Sequence, residues 1–202
     1  MAFRTFESPA QAAEYAASLD TRWPERTDIQ AHLSAQLAPL DGQPAQVAEL
    51  CAGAGALAAR LLADYPHLRY TGFDVSAPLL ALAQTRLAPY AERITWVETD
   101  LNQDGWPAQL PQPLDALVSL QSLHDLGDAE AVARIYRIAA RQLAPGGRLV
   151  FADLLAPIPP DPSANPGRLS VARHLELLAA AGFADARCTL ELGPFGCFNA
   201  QV

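Results

Sequence analysis

The stretch ELCAGAGALAARL, residues 49–61, decides the fold, because it joins an apolar segment to an amphipathic one. AQVAELC predicts a strand and GALAARLLADY a helix. Gly53 and Gly55 in the intervening turn carry no side chain, so a ligand could approach the backbone there. Glu49 is the unusual residue, since a carboxylate at the end of a buried strand is costly unless something offsets its charge.

Strands and helices continue to alternate after this turn. LRYTGFDV, RITWVETD, LDALVSL and RLVFADLL predict strands, and the long helix DAEAVARIYRIAARQLAPGG is expected to start at Asp128 and end before Gly146. ADARCTLEL and GPFGCFNAQV predict a closing hairpin. The pattern indicates an α/β fold with a doubly wound, Rossmann-like seven-stranded sheet, mostly parallel with an antiparallel strand in its C-terminal hairpin.

The segment before Pro44 predicts two helices and no strand. We therefore expect a single domain, residues 1–202, in which a helical lid of residues 1–42 covers a core of residues 45–202. Permanent packing of both helices on the sheet is the alternative. Four residues near the helix junction are suited to covering an anionic or planar acceptor, although a solvated arginine-rich junction is the other interpretation: Tyr15, Arg22, Trp23 and Arg26.

Composition excludes several classes of protein. The formal net charge of -8 disfavours binding to nucleic acid or to an anionic membrane. All 14 basic residues are arginine, which excludes lysine-dependent phosphate loops and Schiff bases. The three cysteines form no CxxC pair, so we expect reduced thiols and no metal site. With no secretory pattern at the N-terminus, the expected location is cytoplasmic.

Acidic residues end the second and third predicted strands. Asp74 follows Gly55 by 19 residues, a spacing that suits a carboxylate bound to two ribose hydroxyls, and Asp100 ends the next strand. Either residue could instead be a helix cap or turn residue. Together with the glycine turn they favour a nucleoside site. Glu49 would repel a pyrophosphate and attract a sulfonium or an ammonium group, so it favours a cationic ligand over a dinucleotide.

These motifs resemble, in order, those of the class I S-adenosylmethionine-dependent methyltransferase family. Residues 49–55 are similar to the family's ExGxGxG motif, with Cys51 in place of the first glycine. GFDVS and VETDL resemble the ribose-binding and adenine-binding motifs, and LAPGGRLVFADLL resembles the turn into the fifth strand. The resemblance extends from about residue 45 to the end of the chain.

The resemblance implies S-adenosylmethionine as cofactor, S-adenosylhomocysteine as product, and direct in-line transfer of the methyl group. It implies that Glu49 anchors the methionine end, Asp74 the ribose and Asp100 the adenine amino group. His124 could deprotonate an acceptor, with Asp125 orienting it, or could pack beneath the lid. The full expected cofactor set is Glu49, Leu50, Cys51, Ala52, Gly53, Gly55, Asp74, Val75, Asp100, Leu101, Leu120 and Gln121.

Two functions remain open at this point. The first is methyl transfer to a small molecule by a monomer or homodimer, without a nucleic-acid or membrane partner. The second is binding of the cofactor or of another partner without transfer, since this mechanism needs no obligatory catalytic side chain. A nicotinamide-dependent oxidoreductase is disfavoured by Glu49 and by the absence of a Tyr-Lys pair.

Overall fold

The computed structural model describes Phe6 and residues 8–202. In these ranges the helices are α1 (Pro9–Arg22), α2 (Arg26–Ala35), α3 (Ala56–Asp64), α4 (Ala77–Arg86), α5 (Ala129–Gln142) and α6 (Val171–Ala181). The strands are β1 (Ala45–Leu50), β2 (Leu68–Asp74), β3 (Ile94–Glu98), β4 (Leu114–Leu120), β5 (Leu143–Leu154), β6 (Asp185–Leu192) and β7 (Phe195–Gln201). None of the helices described is long and apolar enough to cross a bilayer.

The strands form one sheet in the order β3-β2-β1-β4-β5-β7-β6. The pairs from β3 to β5 are parallel, and β7 is antiparallel to both β5 and β6. The doubly wound, mostly parallel sheet with an antiparallel hairpin strand is thereby confirmed. Strand order reverses between β1 and β4, so the loops after these two strands diverge and leave a crevice at their carboxyl ends.

The two N-terminal helices differ in how they pack. Ile29, Leu33 and Leu37 form a stripe with helical spacing that is fully buried in the same core cluster as Val47 of β1. α1 has a single buried residue, Ala12. The expected lid of residues 1–42 is therefore too broad, because the sheet needs the apolar face of α2. Of the described segment, only α1 remains a candidate lid.

The boundary between α5 and β5 also differs from the expectation. Asp128 caps α5 as predicted, but α5 ends at Gln142 and Gly146 lies within β5 instead of just past the helix. The ladder with β4 shifts register here, where Gly146 takes a φ of 79°. A Cβ on Gly147 would lie 2.8 Å from the carbonyl oxygen of Ala144. The chain thus passes through a bulge that contains both glycines, and β5 begins at Leu143, five residues before the predicted start at Arg148.

Candidate active site

A cavity of about 520 Å³ opens at the carboxyl ends of the strands around the β1–β4 reversal. We call its two walls the β1–β3 side and the β4–β5 side, according to the strands whose ends and loops form them. α1 and the α1–α2 junction cover the cavity. Fifteen of the predicted site residues line it: Tyr15, Arg22, Trp23, Arg26, Glu49, Cys51, Ala52, Gly53, Asp74, Val75, Leu101, Leu120, Gln121, His124 and Asp125.

The glycine turn brings backbone to the surface of the cavity. Gly53 has a φ of 54°, and a Cβ added there would meet nothing within 4 Å, so its backbone is open to a ligand. Gly55 does not line the cavity; a Cβ there would lie 2.9 Å from Leu87, so it allows α3 to start close to α4. Leu50 points into the core. Cys51 adopts a φ of 55°, a conformation that glycine takes without strain, which explains why glycine suits this position.

Glu49 lies almost fully buried at the end of β1. Its Oε2 accepts a 2.5 Å hydrogen bond from the hydroxyl of Tyr70. Burial raises the pKa of Glu49 to about 8, with the Tyr70 hydrogen bond and the charge of Arg26 acting against the rise. The carboxyl is therefore largely protonated near neutral pH, and a cation bound beside it would favour its ionised form.

Tyr70 is itself held by packing across the neighbouring strands. Its ring meets Trp96 edge to face, with ring centroids 5.7 Å apart. A Cβ on Gly72 would lie 2.4 Å from the Trp96 ring and 2.9 Å from the Tyr70 ring. Gly72 is paired in register with Glu49, and its lack of a side chain leaves room for the Tyr70 ring. Tyr70 can therefore place its hydroxyl against the buried carboxyl of Glu49.

Asp74 joins the ends of β1 and β2. Its Oδ2 accepts a 2.7 Å bond from the backbone N–H of Gly53, and its Oδ1 accepts a 2.8 Å bond from that of Ser76. Burial raises the pKa of Asp74, and these backbone hydrogen bonds oppose the rise. Each carboxylate oxygen can accept more than one hydrogen bond, so Asp74 keeps acceptor capacity toward the cavity.

Asp100 is placed differently from Asp74. It does not line the cavity, and its two oxygens accept hydrogen bonds from the Asn102 backbone at 2.7 Å and the Gln103 side chain at 3.3 Å. These contacts match the turn-residue interpretation. Thr99 and Leu101 line the cavity on either side of it in sequence.

Gln121 and Arg26 connect the floor of the cavity to its cover. Gln121 follows β4 with a φ of 60°, and its Oε1 accepts a hydrogen bond from Arg26 Nη1. Arg26 Nε also pairs with Asp20 of α1 at 3.2 Å. Arg26 is thus a buried cation close to Glu49, with its guanidinium held by Asp20 of α1 and by Gln121 after β4.

His124 is held by a residue that the sequence did not single out. Its Nδ1 lies 2.5 Å from Oδ1 of Asp153, a fully buried residue near the end of β5, and its backbone N–H donates to Oδ2 at 2.8 Å. Asp125 was expected to orient His124, but it lies 3.5 Å from Nε2 and is exposed. The orienting carboxylate is therefore Asp153, while Asp125 lies beside the nitrogen opposite the one that Asp153 holds.

The environment of His124 sets its proton affinity. Burial favours the neutral imidazole, but the hydrogen bond and charge of Asp153, with a further contribution from Asp125, outweigh it and raise the pKa of His124. An imidazole whose Nδ1 is fixed on a buried carboxylate can accept a proton at Nε2. The β4–β5 side of the cavity thus carries an imidazole that is able to accept a proton at Nε2.

Comparisons with known proteins agree with this fold. A family model described as the methyltransferase domain matches residues 48–149. The ubiquinone/menaquinone biosynthesis C-methyltransferase UbiE of Desulfotalea psychrophila is 34% identical over 116 residues, which are 55% of this chain and 42% of that protein. The ribosomal RNA small subunit methyltransferase H of Mycolicibacterium smegmatis is 42% identical over 59 residues, 29% of this chain and 16% of that protein.

Structural similarity covers more of the chain than sequence similarity. The crystal structure of human N-acetylserotonin methyltransferase in complex with SAM superposes with a TM-score of 0.71 at 20% identity, covering 96% of this chain and 56% of that one. This chain spans less than half of the length of the two curated relatives. The family model nevertheless matches half of the chain and contains the glycine turn and Asp74. The protein belongs to the methyltransferase domain family, and its cofactor is S-adenosylmethionine.

Proposed function

We propose that this protein transfers the methyl group of S-adenosylmethionine to a hydroxyl of a small-molecule acceptor, with His124 as general base. The observation that carries the proposal is the His124–Asp153 pair, which faces the cavity from the β4–β5 side. When bound, the cofactor supplies the methyl group, and the acceptor oxygen bonds to the methyl carbon as the carbon–sulfur bond breaks. His124 Nε2 takes the hydroxyl proton, and Asp153 stabilises the resulting imidazolium.

The β1–β3 side fits the cofactor. The open backbone at Gly53 allows close approach of a ligand, and the buried Glu49 offers a carboxyl that a cation would ionise. We assign Glu49 to the ammonium group, Asp74 to the ribose hydroxyls, and Val75 and Leu101 to the adenine ring. Arg26 is suited to the methionine carboxylate. Asp100 stays a prediction, with its two oxygens already in use within its turn.

Asp74→Ala should weaken cofactor binding by about ten- to a hundredfold, because charge-assisted hydrogen bonds contribute roughly 1.5–3 kcal/mol. It should also lower the free energy of unfolding by about 1–3 kcal/mol, since the N–H groups of Gly53 and Ser76 lose their acceptor. Calorimetric titration and urea unfolding measure the two effects. The matched control is Asp128→Ala, which removes a carboxylate that accepts two backbone N–H bonds and does not line the cavity. It should cost about 1 kcal/mol of stability and leave affinity unchanged; equal affinities in both variants would refute the ribose assignment.

A small acceptor is supported by shape and by charge. The cavity is partly covered by α1, with the apolar side chains of Leu19, Trp23 and Leu154 in its wall. The formal net charge of -8 opposes binding to a phosphate backbone. The names of the curated relatives point both to a small quinone precursor and to ribosomal RNA, and the ribosomal RNA relative is matched over the shorter segment.

The decisive experiment is a turnover screen. The protein is incubated with S-adenosylmethionine and a metabolite extract supplemented with phenols, and products are sought by mass spectrometry as species that have gained one methyl group. His124→Gln serves as the inactive control. Products that depend on His124 and carry the added methyl group on oxygen support the proposal. Cofactor binding without any methylated product would favour the alternative, a protein that binds cofactor without transfer.

We further propose that α1 is a lid over the acceptor. Tyr15, Leu19 and Arg22 of α1 line the cavity, whereas Trp23 at the junction also packs edge to face on Phe195 of the core at 5.7 Å. Such a lid excludes water from the nucleophile. Arg22 bonds to Ser18 on its own helix, so its side chain stays at the rim.

Deleting residues 1–18 should leave a folded protein that binds cofactor with reduced affinity and has lost methyl transfer. The deletion preserves the Asp20–Arg26 pair, and among the described residues that it removes only Ala12 is buried. Circular dichroism, calorimetry and turnover measure the three properties. Leu33→Asp in α2 is the contrasting variant and should unfold the protein, since Leu33 is in the core. Full turnover in the truncated protein would show that α1 is not a lid.

A further inference from the structure

Arg168 is a cation on the acceptor side of the cavity, and it has no counterion among the residues that the structure describes. In the described part of the chain, four side chains have a buried nitrogen or oxygen atom with no hydrogen-bond partner, and of these Arg168 lines the cavity. The atom is Nε. No ion pair joins Arg168 to an acidic side chain among the described residues. A guanidinium in this position is ready to accept an anion.

The loop after β5 fixes Arg168 beside the general base. A Cβ on Gly167 would lie 2.2 Å from the carbonyl oxygen of His124, so glycine allows the loop backbone to pack directly on that residue. Asn165 Oδ1 accepts a 2.9 Å bond from the Gly167 N–H, and Asn165 Nδ2 donates to Asp125 at 3.1 Å. Leu169, the next residue after Arg168, is buried in the core. The backbone of Arg168 is therefore held by its neighbours, and its side chain is half-buried with Nε covered.

The other charged groups on the cavity wall near His124 already have partners. Asp153 is bound to His124, Asp125 accepts from Asn165, and Arg26 is paired with Asp20. Burial and then Asp153 dominate the pKa of His124, and the charge of Arg168 lowers it, which shows that the two groups are close. Among these groups, Arg168 is the one that has no ion-pair partner in the described part of the chain.

We propose that the acceptor is a hydroxy acid, whose carboxylate binds to Arg168 while its hydroxyl faces Nε2 of His124. Arginine binds carboxylates through two parallel N–H bonds, which fix orientation as well as position. A carboxylate held next to the general base places the hydroxyl of the same molecule for attack. The identity of the reacting hydroxyl rests on the proposed function, whereas the carboxylate site does not depend on turnover.

The test measures binding first. Benzoate and benzamide are titrated calorimetrically, at alkaline pH, into protein saturated with S-adenosylhomocysteine. Benzoate cannot be methylated on a hydroxyl, so its binding reports the site alone. We expect benzoate to bind at least roughly tenfold more tightly than benzamide, and Arg168→Gln to abolish that preference. Arg168→Lys, which keeps the charge, should retain part of it. Arg173→Gln on the exposed face of α6, where Arg173 pairs with Glu176, is the matched control and should change nothing.

Turnover then separates the two proposals. The three hydroxybenzoates and their amides are tested as acceptors, and the acids should show the higher kcat/KM in the unmodified protein but not in Arg168→Gln. Equal binding of benzoate and benzamide, or a preference that survives in both the Arg168→Gln and the Arg168→Lys variants, overturns the carboxylate site whatever the turnover result. Methylation of amides and acids alike refutes this inference and leaves the proposed function standing. Tight benzoate binding without methylation of any acceptor supports the site and contradicts the proposed function.

Discussion

His124→Gln should lower kcat for methyl transfer by about 100- to 10,000-fold, the usual contribution of a positioned general base. The Kd for S-adenosylmethionine should stay the same, because His124 follows β4, whereas Glu49 and Asp74, the residues assigned to the cofactor, lie in β1 and β2. Single-turnover kinetics and calorimetric titration measure the two quantities. A variant that turns over at the original rate would show that the acceptor loses its proton to water and that the His124–Asp153 pair is structural.

The choice of orienting carboxylate is tested by two matched amide variants. Asp153→Asn should lower kcat strongly, because it removes the buried charge that stabilises the imidazolium, whereas Asp125→Asn should change kcat less than about tenfold. The pH profile gives an independent measure. Since neutral imidazole is the active form, kcat/KM should rise with pH to a midpoint above the ordinary 6.5, and Asp153→Asn should move that midpoint down. A midpoint unaffected by Asp153→Asn would assign the profile to another group.

Glu49→Gln should weaken S-adenosylmethionine binding by about ten- to a hundredfold and yet stabilise the cofactor-free protein. The pKa of Glu49 is about 8 in the folded chain against an ordinary 4.5, so its contribution to stability is full below 4.5 and is lost as pH rises through 8. Gln removes this loss. The loss is about 1.4 kcal/mol for each pH unit above the ordinary pKa of 4.5. Less the cost of burying an amide, the gain of Glu49→Gln in the free energy of unfolding is about 2 kcal/mol near neutral pH.

Urea unfolding across this pH range measures the gain, which should shrink as the pH falls and give way to the cost of the buried amide near pH 4.5, where Glu49 is increasingly protonated in the unfolded chain as well. Tyr70→Phe is the control, since it removes the hydroxyl bonded to Oε2 and keeps the carboxyl. It should leave the pH dependence of stability in place. Cofactor affinity in Glu49→Gln equal to that of the unmodified protein would mean that the ammonium group lies elsewhere.

The sequence predicted the sheet, and it predicted that Glu49, Gly53 and Asp74 face one crevice, because those features depend on local patterns. Glu49 and Asp74 each end a strand, and the carboxyl ends of adjacent parallel strands meet in space whatever the packing of the rest. The sequence also predicted the glycine turn at Gly53. The packing of α2 on the core was not predicted, because an apolar stripe indicates that a helix packs on another element but does not identify that element.

The β4–β5 side depends on register, which the sequence does not give. Asp153 meets His124 because Leu120 is paired with Ala152 across β4 and β5, so residues 29 apart in the chain become neighbours. The same reasoning that singled out Glu49, a carboxylate inside an apolar strand, applies to Asp153 and would have found it. Arg168 gave no such signal, since its position follows from the close packing of Gly167 on His124.

On the proposed function, the acceptor contacts and most of the cofactor contacts come from separate stretches of this chain. Residues 45–101 build the β1–β3 side, and residues 114–170 build the β4–β5 side. The two stretches are joined along the β1–β4 ladder, where Ser119 Oγ donates to the carbonyl of Leu50 at 3.2 Å. Backbone pairing holds their spacing, so changes in one stretch need not disturb the other. If the acceptor binds as proposed, exchanging the loop of residues 155–170 is expected to alter which molecules are methylated while the methyl donor stays the same, so that one scaffold could take new acceptors through a single loop.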